Sequence, residues 1–154
     1  MSSSTLHKLR LSQVQRAIEP FIAVKGTPVP QGGWLRSIRE SLARSLSVQA
    51  KIVGIGPASL NQSERAEAQE RISLAQLRRL AAALDCELVY GLVPKKPLHT
   101  IVEDRAELLA KQEILGVAHS MSLEDQRPSD AFIERQIDER RKELLDGSWA
   151  RLWR

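Results

Sequence analysis

Gly54-Ile55-Gly56-Pro57 separates two short amphipathic segments, and it leaves the chain few ways to fold there. Glycine adopts backbone conformations that other residues avoid. Pro57 suits the first turn of a helix, where its missing N–H would be unpaired anyway. The pattern predicts a helix over Leu46–Val53, capped by Ser45, then a turn, then a helix from Pro57 to about Ala66. The small Ala50 lies four residues before Gly54, where the two helices must approach closely. Ile55 and Leu60 can pack the second helix onto the first. Gln49 and Ser63 fall where such a pattern usually carries leucine, which predicts a weaker apolar contact.

The flanks repeat the helical period. Trp34–Arg44 is amphipathic, with Trp34, Leu35, Ile38 and Leu42 expected inward and Arg36, Arg39 and Glu40 outward. Glu67–Arg71 reads as a polar loop. Ser73 can cap a further helix to Leu84 that buries Leu74, Leu77, Leu80, Ala81 and Leu84. An N-terminal helix is expected over Leu6–Ile22, kinked or ended by Pro20. Lys25–Gly33 holds two prolines and three glycines in nine residues, which no regular element tolerates. Two more helices are expected near Leu98–His119 and Ser129–Leu145. Trp149 and Trp153 close the chain; folding back onto the body is favoured over an exposed interaction patch.

Glu87–Val93 is the one segment with strand character, short, β-rich and stopped by Pro94. A lone strand leaves backbone donors and acceptors unpaired. Pairing with the same strand of a second copy through Leu88, Val89, Tyr90 and Leu92 resolves this and predicts a two-fold homodimer. The alternatives are pairing with Thr27–Pro30, or merely extended chain. The expected fold is therefore mainly α. It divides into an N-terminal helix (1–24), a linker (25–33), a helical domain (34–86), a dimerising strand (87–94) and a partner-binding helical region (95–154).

Charge is unevenly spread. Residues 1–79 carry 12 Lys/Arg against 5 Asp/Glu, and residues 80–154 carry 11 against 14. A basic front half suits a polyanion, since cations placed on phosphates release condensed counterions. Short helices joined by a glycine turn form a helix-turn-helix, whose second helix enters the major groove. Ala58, Ser59, Asn61 and Gln62 are the expected base contacts. Asn and Gln can bond adenine through paired hydrogen bonds, and a small apolar residue can meet a thymine methyl. Arg44, Ser45, Ser47, Lys51 and Arg65 are the expected phosphate contacts. The implied partner is double-stranded DNA with a palindromic operator.

Several stretches resemble the mobile mystery protein A family. They are Trp34-Leu35-Arg36-Ser37-Ile38-Arg39-Glu40, Glu64-Arg65-Ala66-Glu67-Ala68, Ile72-Ser73-Leu74 with Leu77-Arg78-Arg79, and Ala82–Tyr90 with Leu92-Val93-Pro94. The resemblance covers about residues 6–127. It implies an Xre-type, lambda-repressor-like DNA-binding domain and an antitoxin role beside a Fic-domain partner, with autoregulation of the shared operon. It also draws attention to Ser120-Met121-Ser122-Leu123-Glu124-Asp125. This stretch is similar to the inhibitory pattern Ser/Thr-x-x-x-Glu-Gly/Asn of Fic antitoxins, with Asp125 in the last place. In the motif of Ser120 and Glu124, Glu124 would then enter the nucleotide site and block the γ-phosphate position, a carboxylate occupying a phosphate-binding arginine. The alternative is a helix end with a solvated Glu124.

Catalysis is not expected. His7, His99 and His119 are far apart in sequence and accompany no nucleophile signature. The single Cys86 excludes an internal disulfide and a cysteine-built zinc site, and no cofactor motif is present. With no secretion signal and no run of 18 apolar residues, a cytoplasmic protein without a membrane partner is expected. A second class of function remains beside the regulator: an interaction module that sequesters an enzyme and binds DNA weakly or without preference.

Overall fold

A computed structural model describes residues 2–154. It holds seven α-helices and one 3-10 helix, is 69% helical, and has no strand among the described residues. The chain divides into two compact units. One spans Val24–Gly91, and the other joins the N-terminal helix to Leu92–Arg154.

The Val24–Gly91 unit contains α2 (Trp34–Ser41), α3 (Leu46–Val53), α4 (Pro57–Ala68) and α5 (Leu74–Ala82). Two starts are set by serine caps. Ser45 Oγ accepts from Val48 N at 3.2 Å, and Ser73 Oγ accepts from Gln76 N at 3.1 Å. Each satisfies an amide that has no partner inside its own helix. Leu35, Ala50, Leu60, Leu80 and Leu84 form the core, with Ile38, Leu46, Val53, Ile55 and Leu77 packed against it.

Four expectations about facing are corrected. Trp34, Leu42 and Leu74 are about half exposed, not inward. Leu42 falls outside because α2 ends at Ser41 and Ala43, at φ 55°, turns the chain away. Leu74 opens α5 one turn short of Leu77, and Trp34 opens α2 beside Leu35, which takes the core position. Arg39, expected outward, is buried because a carboxylate waits for it inside. Leu84 is buried as expected, although α5 stops at Ala82. Asp85, at φ 56°, reverses the chain, and Cys86 N bonds back to Ala81 O at 2.9 Å.

Glu87–Val93 forms neither helix nor strand. None of its backbone groups is hydrogen-bonded among the described residues, so it does not pair with Thr27–Pro30. Within one chain the expected strand is therefore absent: a strand is defined by its partner, and the chain supplies none.

The second unit contains α1 (Ser3–Ile22), α6 (Leu98–Leu123), α7 (Asp130–Asp146) and the 3-10 helix Trp149–Trp153. The sequence set the N-terminal helix apart from the C-terminal region, but the two pack as one body. Gln15 Oε1 accepts from Leu98 N at 3.1 Å, and Lys8 Nζ lies 3.4 Å from Asp146 Oδ1. Pro20 sits in the last turn of α1, where the helix runs only two residues further. Val102, Ala106, Ala110, Leu144 and Leu152 form the core, with Leu11 against it. The alanines have no exposure and allow close approach. The C-terminal tail folds back. Leu152 is fully buried, Trp149 donates to Leu145 O at 2.8 Å, and its ring stacks on His7 with centroids 5.8 Å apart. No helix among the described residues is long and apolar enough to cross a membrane.

Candidate nucleic-acid interface

The link between α3 and α4 is built from Gly54. It adopts φ 85° and ψ 29°, and its N–H donates to Ala50 O at 2.8 Å, with Ile55 N donating to the same carbonyl at 3.0 Å. This left-handed ending closes α3 and redirects the chain after it. Ala50 and Leu60 are buried beneath the turn, which fixes which side of α4 faces inward.

The inward side of α4 takes both of its carboxylates. Glu64 is buried and accepts from Arg39 twice, Nε–Oε1 at 2.6 Å and Nη2–Oε2 at 3.1 Å. The remaining Arg39 Nη1 donates to Arg44 O at 2.9 Å. The hydrogen bond to Glu64 raises the Arg39 pKa above its ordinary value, outweighing burial, which lowers it. Glu67 reaches back to α2, where Oε2 accepts from Trp34 N at 2.8 Å and Oε1 from Leu35 N at 2.7 Å. Gly33, the residue before α2, provides no side-chain cap, so Glu67 satisfies two orphan amides from another helix. The sequence pattern ends this helix at about Ala66 and places Glu67 in a loop, whereas α4 runs on to Ala68.

Ala58, Ser59, Gln62 and Arg65 are exposed on α4. Asn61 is half-buried and lines a hollow of about 530 Å³ with Arg36, Glu40 and Arg65, which Ala58, Ser59 and Gln62 do not line. Arg36 is paired to Glu40 at 2.8 Å; that hydrogen bond raises the arginine's pKa and lowers the glutamate's. Ser47 and Lys51 are exposed on α3. Neither Lys51 nor Arg65 forms an ion pair among the described residues. Ser45 is exposed, but its hydroxyl already caps α3.

Arg44, an expected phosphate contact, is half-buried and also takes part in the scaffold. Its Nη1 donates to Gln49 Oε1 at 3.1 Å and lies 3.4 Å from Ala83 O. Gln49 completes this network, donating from Nε2 to Ala83 O at 3.0 Å. Gln49 is therefore buried with its polar atoms partnered, and it joins α3 to the end of α5 where leucine would only fill space. Ser63 is half-buried.

The charge asymmetry is smaller between the folded units than between the sequence halves. Val24–Gly91 carries 9 Lys/Arg and 6 Asp/Glu, and the rest of the chain 14 and 13, giving +3 and +1. Lys8, Arg10 and Arg16 belong to the other unit, which removes them from the helical domain's excess. Arg71, Arg78 and Arg79 are exposed in the Val24–Gly91 unit and are not among the contacts expected from sequence.

The remaining sequence candidates lie elsewhere. Val89, Tyr90 and Leu92 are well exposed, and Leu88 is half-buried. Ser120 lies in the last turn of α6 and donates to Gly116 O at 3.2 Å. Glu124 is the exposed residue that ends this helix, and Asp125 follows at φ 58°. The chain matches no family model, no curated protein and no solved structure.

Proposed function

We propose that this chain is a DNA-binding transcriptional regulator with a lambda-repressor-like helix-turn-helix, in which α4 is the helix that enters the major groove. One observation carries the reading. Both carboxylates of α4 are consumed internally, by Arg39 and by the start of α2, so its exposed side offers Ala58, Ser59, Gln62 and Arg65 and no negative charge. A helix face meeting a polyanion requires this. Amide and hydroxyl groups can read base edges, and an arginine can hold phosphate. Ser59 and Gln62 read bases, with Ala58 against a methyl group and Asn61 at the flank. Ser47, Lys51 and Arg65 hold the backbone, and Ser45 orients α3.

In the same reading the protein is a homodimer on a palindromic operator, paired through Leu88, Val89, Tyr90 and Leu92. It acts as the antitoxin-like partner of a Fic-domain protein and autorepresses their operon. Exposed Leu115, Val117 and Leu123 on α6, with Phe132 on α7, favour a partner-binding role for that unit. Glu124 is exposed at the helix end, as an inhibitory carboxylate must be, and Glu124→Gly tests it: unchanged inhibition of adenylylation removes that role.

The test of DNA binding is a gel shift on DNA upstream of the chain's own gene, against unrelated DNA, over a salt series. Specific binding that falls steeply with salt is expected. Salt-dependent binding without sequence preference favours the alternative, a module that sequesters a partner enzyme.

A further inference from the structure

Glu87–Lys95 carries a self-complementary pattern that fixes how two copies would pair. This inference rests on the homodimer of the proposed function and adds its register. None of the backbone groups of this segment is hydrogen-bonded among the described residues, and none of its residues has a positive φ, so its backbone is free to join a ladder. Val89, Tyr90 and Leu92 are exposed by 68%, 59% and 87%, too much apolar surface for one short stretch facing water. Its two charges, Glu87 and Lys95, stand at opposite ends, and neither forms an ion pair among the described residues.

We infer that a second copy of this chain adds its Glu87–Lys95 segment antiparallel to the first, with the two-fold axis at Gly91. This register places Glu87 opposite the second copy's Lys95, twice by symmetry. It sets Val89 against Val93 and Tyr90 against Leu92, the β-branched and aromatic pairings that stabilise neighbouring strands. It also accommodates Pro94. If Gly91, Val89 and Glu87 occupy hydrogen-bonded pairs, Leu88 and Pro94 form a non-hydrogen-bonded pair, where a missing N–H costs nothing. Moving the axis one residue either way leaves Glu87 against Val93 or Pro97 and breaks the charge match. Leu88 and Val89 also line an apolar groove of about 360 Å³ with Trp34, Ile38, Leu77 and Cys86, so the added strand would continue an existing apolar surface.

The test combines charge reversal with cross-linking in the full chain. By sedimentation, Glu87→Lys and Lys95→Glu should each raise the dimer Kd about tenfold, and the double reversal should return it to within about threefold, because opposite charges face each other again. In a Cys86→Ser background, Gly91→Cys should form a disulfide-linked dimer under mild oxidation and Leu88→Cys should not. Opposed residues lie about 5.5 Å apart at Cα, within disulfide reach. A dimer in which the double reversal gives no rescue, or which cross-links through Leu88→Cys and not Gly91→Cys, overturns the register and leaves the homodimer standing. A wild-type chain that is monomeric at tens of micromolar overturns the pairing itself. DNA binding is scored separately on the same proteins: a monomer that still shifts its operator leaves the DNA reading intact, and a correctly paired dimer that does not shift it overturns that reading alone.

Discussion

Arg39 and Glu64 form a two-pronged ion pair inside the Val24–Gly91 unit, 2.6 Å between Nε and Oε1, with side chains only 8% and 4% exposed. The pair holds α4 against α2 and turns one of the two carboxylates of α4 away from its outer face. Breaking it should be costly, because the surviving charge stays buried without a partner. Arg39→Ala or Glu64→Ala should destabilise this unit by about 3–5 kcal/mol. The apolar double variant Arg39→Met with Glu64→Leu should lose much less, since no charge is stranded. Urea unfolding followed by amide exchange in α2 and α4 measures both. Equal losses in single and double variants would assign the effect to shape, not charge.

Glu67 and Gly33 act as a second joint between the same helices. A Cβ at residue 33 would overlap the Glu67 carboxylate, and the glycine's φ of 90° strains any other residue. Gly33→Ala should therefore lower stability by more than Glu67→Ala. The latter removes two cap bonds and should cost about 1–2 kcal/mol. Glu67→Gln, which keeps one carbonyl acceptor, should fall between wild type and Glu67→Ala. Thermal unfolding of the three variants gives the order, and a harmless Gly33→Ala would show that the cap is not tight.

What sequence made legible follows from distance along the chain. Ser45, Ser73 and Gly54 act on residues within four positions, and the bounds of α3 came out as expected. The polar interior did not, because its partners are remote. Arg39 meets Glu64 25 residues away, Trp34 meets Glu67 33 away, and Gln49 meets Ala83 34 away. Hydropathy placed Arg39 outward and marked Gln49 as a defect, since periodicity assigns every charge to solvent and cannot see a buried acceptor. Arg44 shows the same limit, since periodicity does not reveal that Gln49 and the Ala83 carbonyl contact its guanidinium. Residues 87–93 failed in the opposite way: their composition is strand-like, but strand formation depends on a partner that one chain lacks.

Asp138 gives a pH-dependent check on the second unit. Hydrogen bonds from Lys142 and then Arg141 hold its carboxyl below the ordinary aspartate value. A lowered folded pKa contributes stability above the unfolded value, and this is lost as pH falls through the folded one. The carboxyl carbon of Asp138 should therefore titrate below a normal aspartate in NMR, and Lys142→Ala should raise its midpoint more than Arg141→Ala. A midpoint unmoved by either change would mean the two cations are solvated, as surface pairs often are.

The outer face of α4 makes the sharpest functional prediction, because its residues should fail in different ways. Gln62 is exposed, uncharged and able to bond a base edge on two sides, so Gln62→Ala should weaken operator binding by about 1–3 kcal/mol while leaving non-specific binding and the salt slope unchanged. Arg65 is an exposed cation without an ion pair among the described residues. Arg65→Gln should weaken operator and unrelated DNA alike, and should lower the slope of log K against log salt by about 0.9. Gln62→Glu restores a carboxylate to a face whose own two are turned inward, and should abolish binding of both kinds. Gel shifts at three salt concentrations separate the outcomes. If Gln62→Ala and Arg65→Gln produce the same uniform loss, α4 touches only the backbone and another element must read the sequence. If neither changes affinity, the carboxylate-free face serves a protein partner, and Gln62→Glu should then disturb that complex instead.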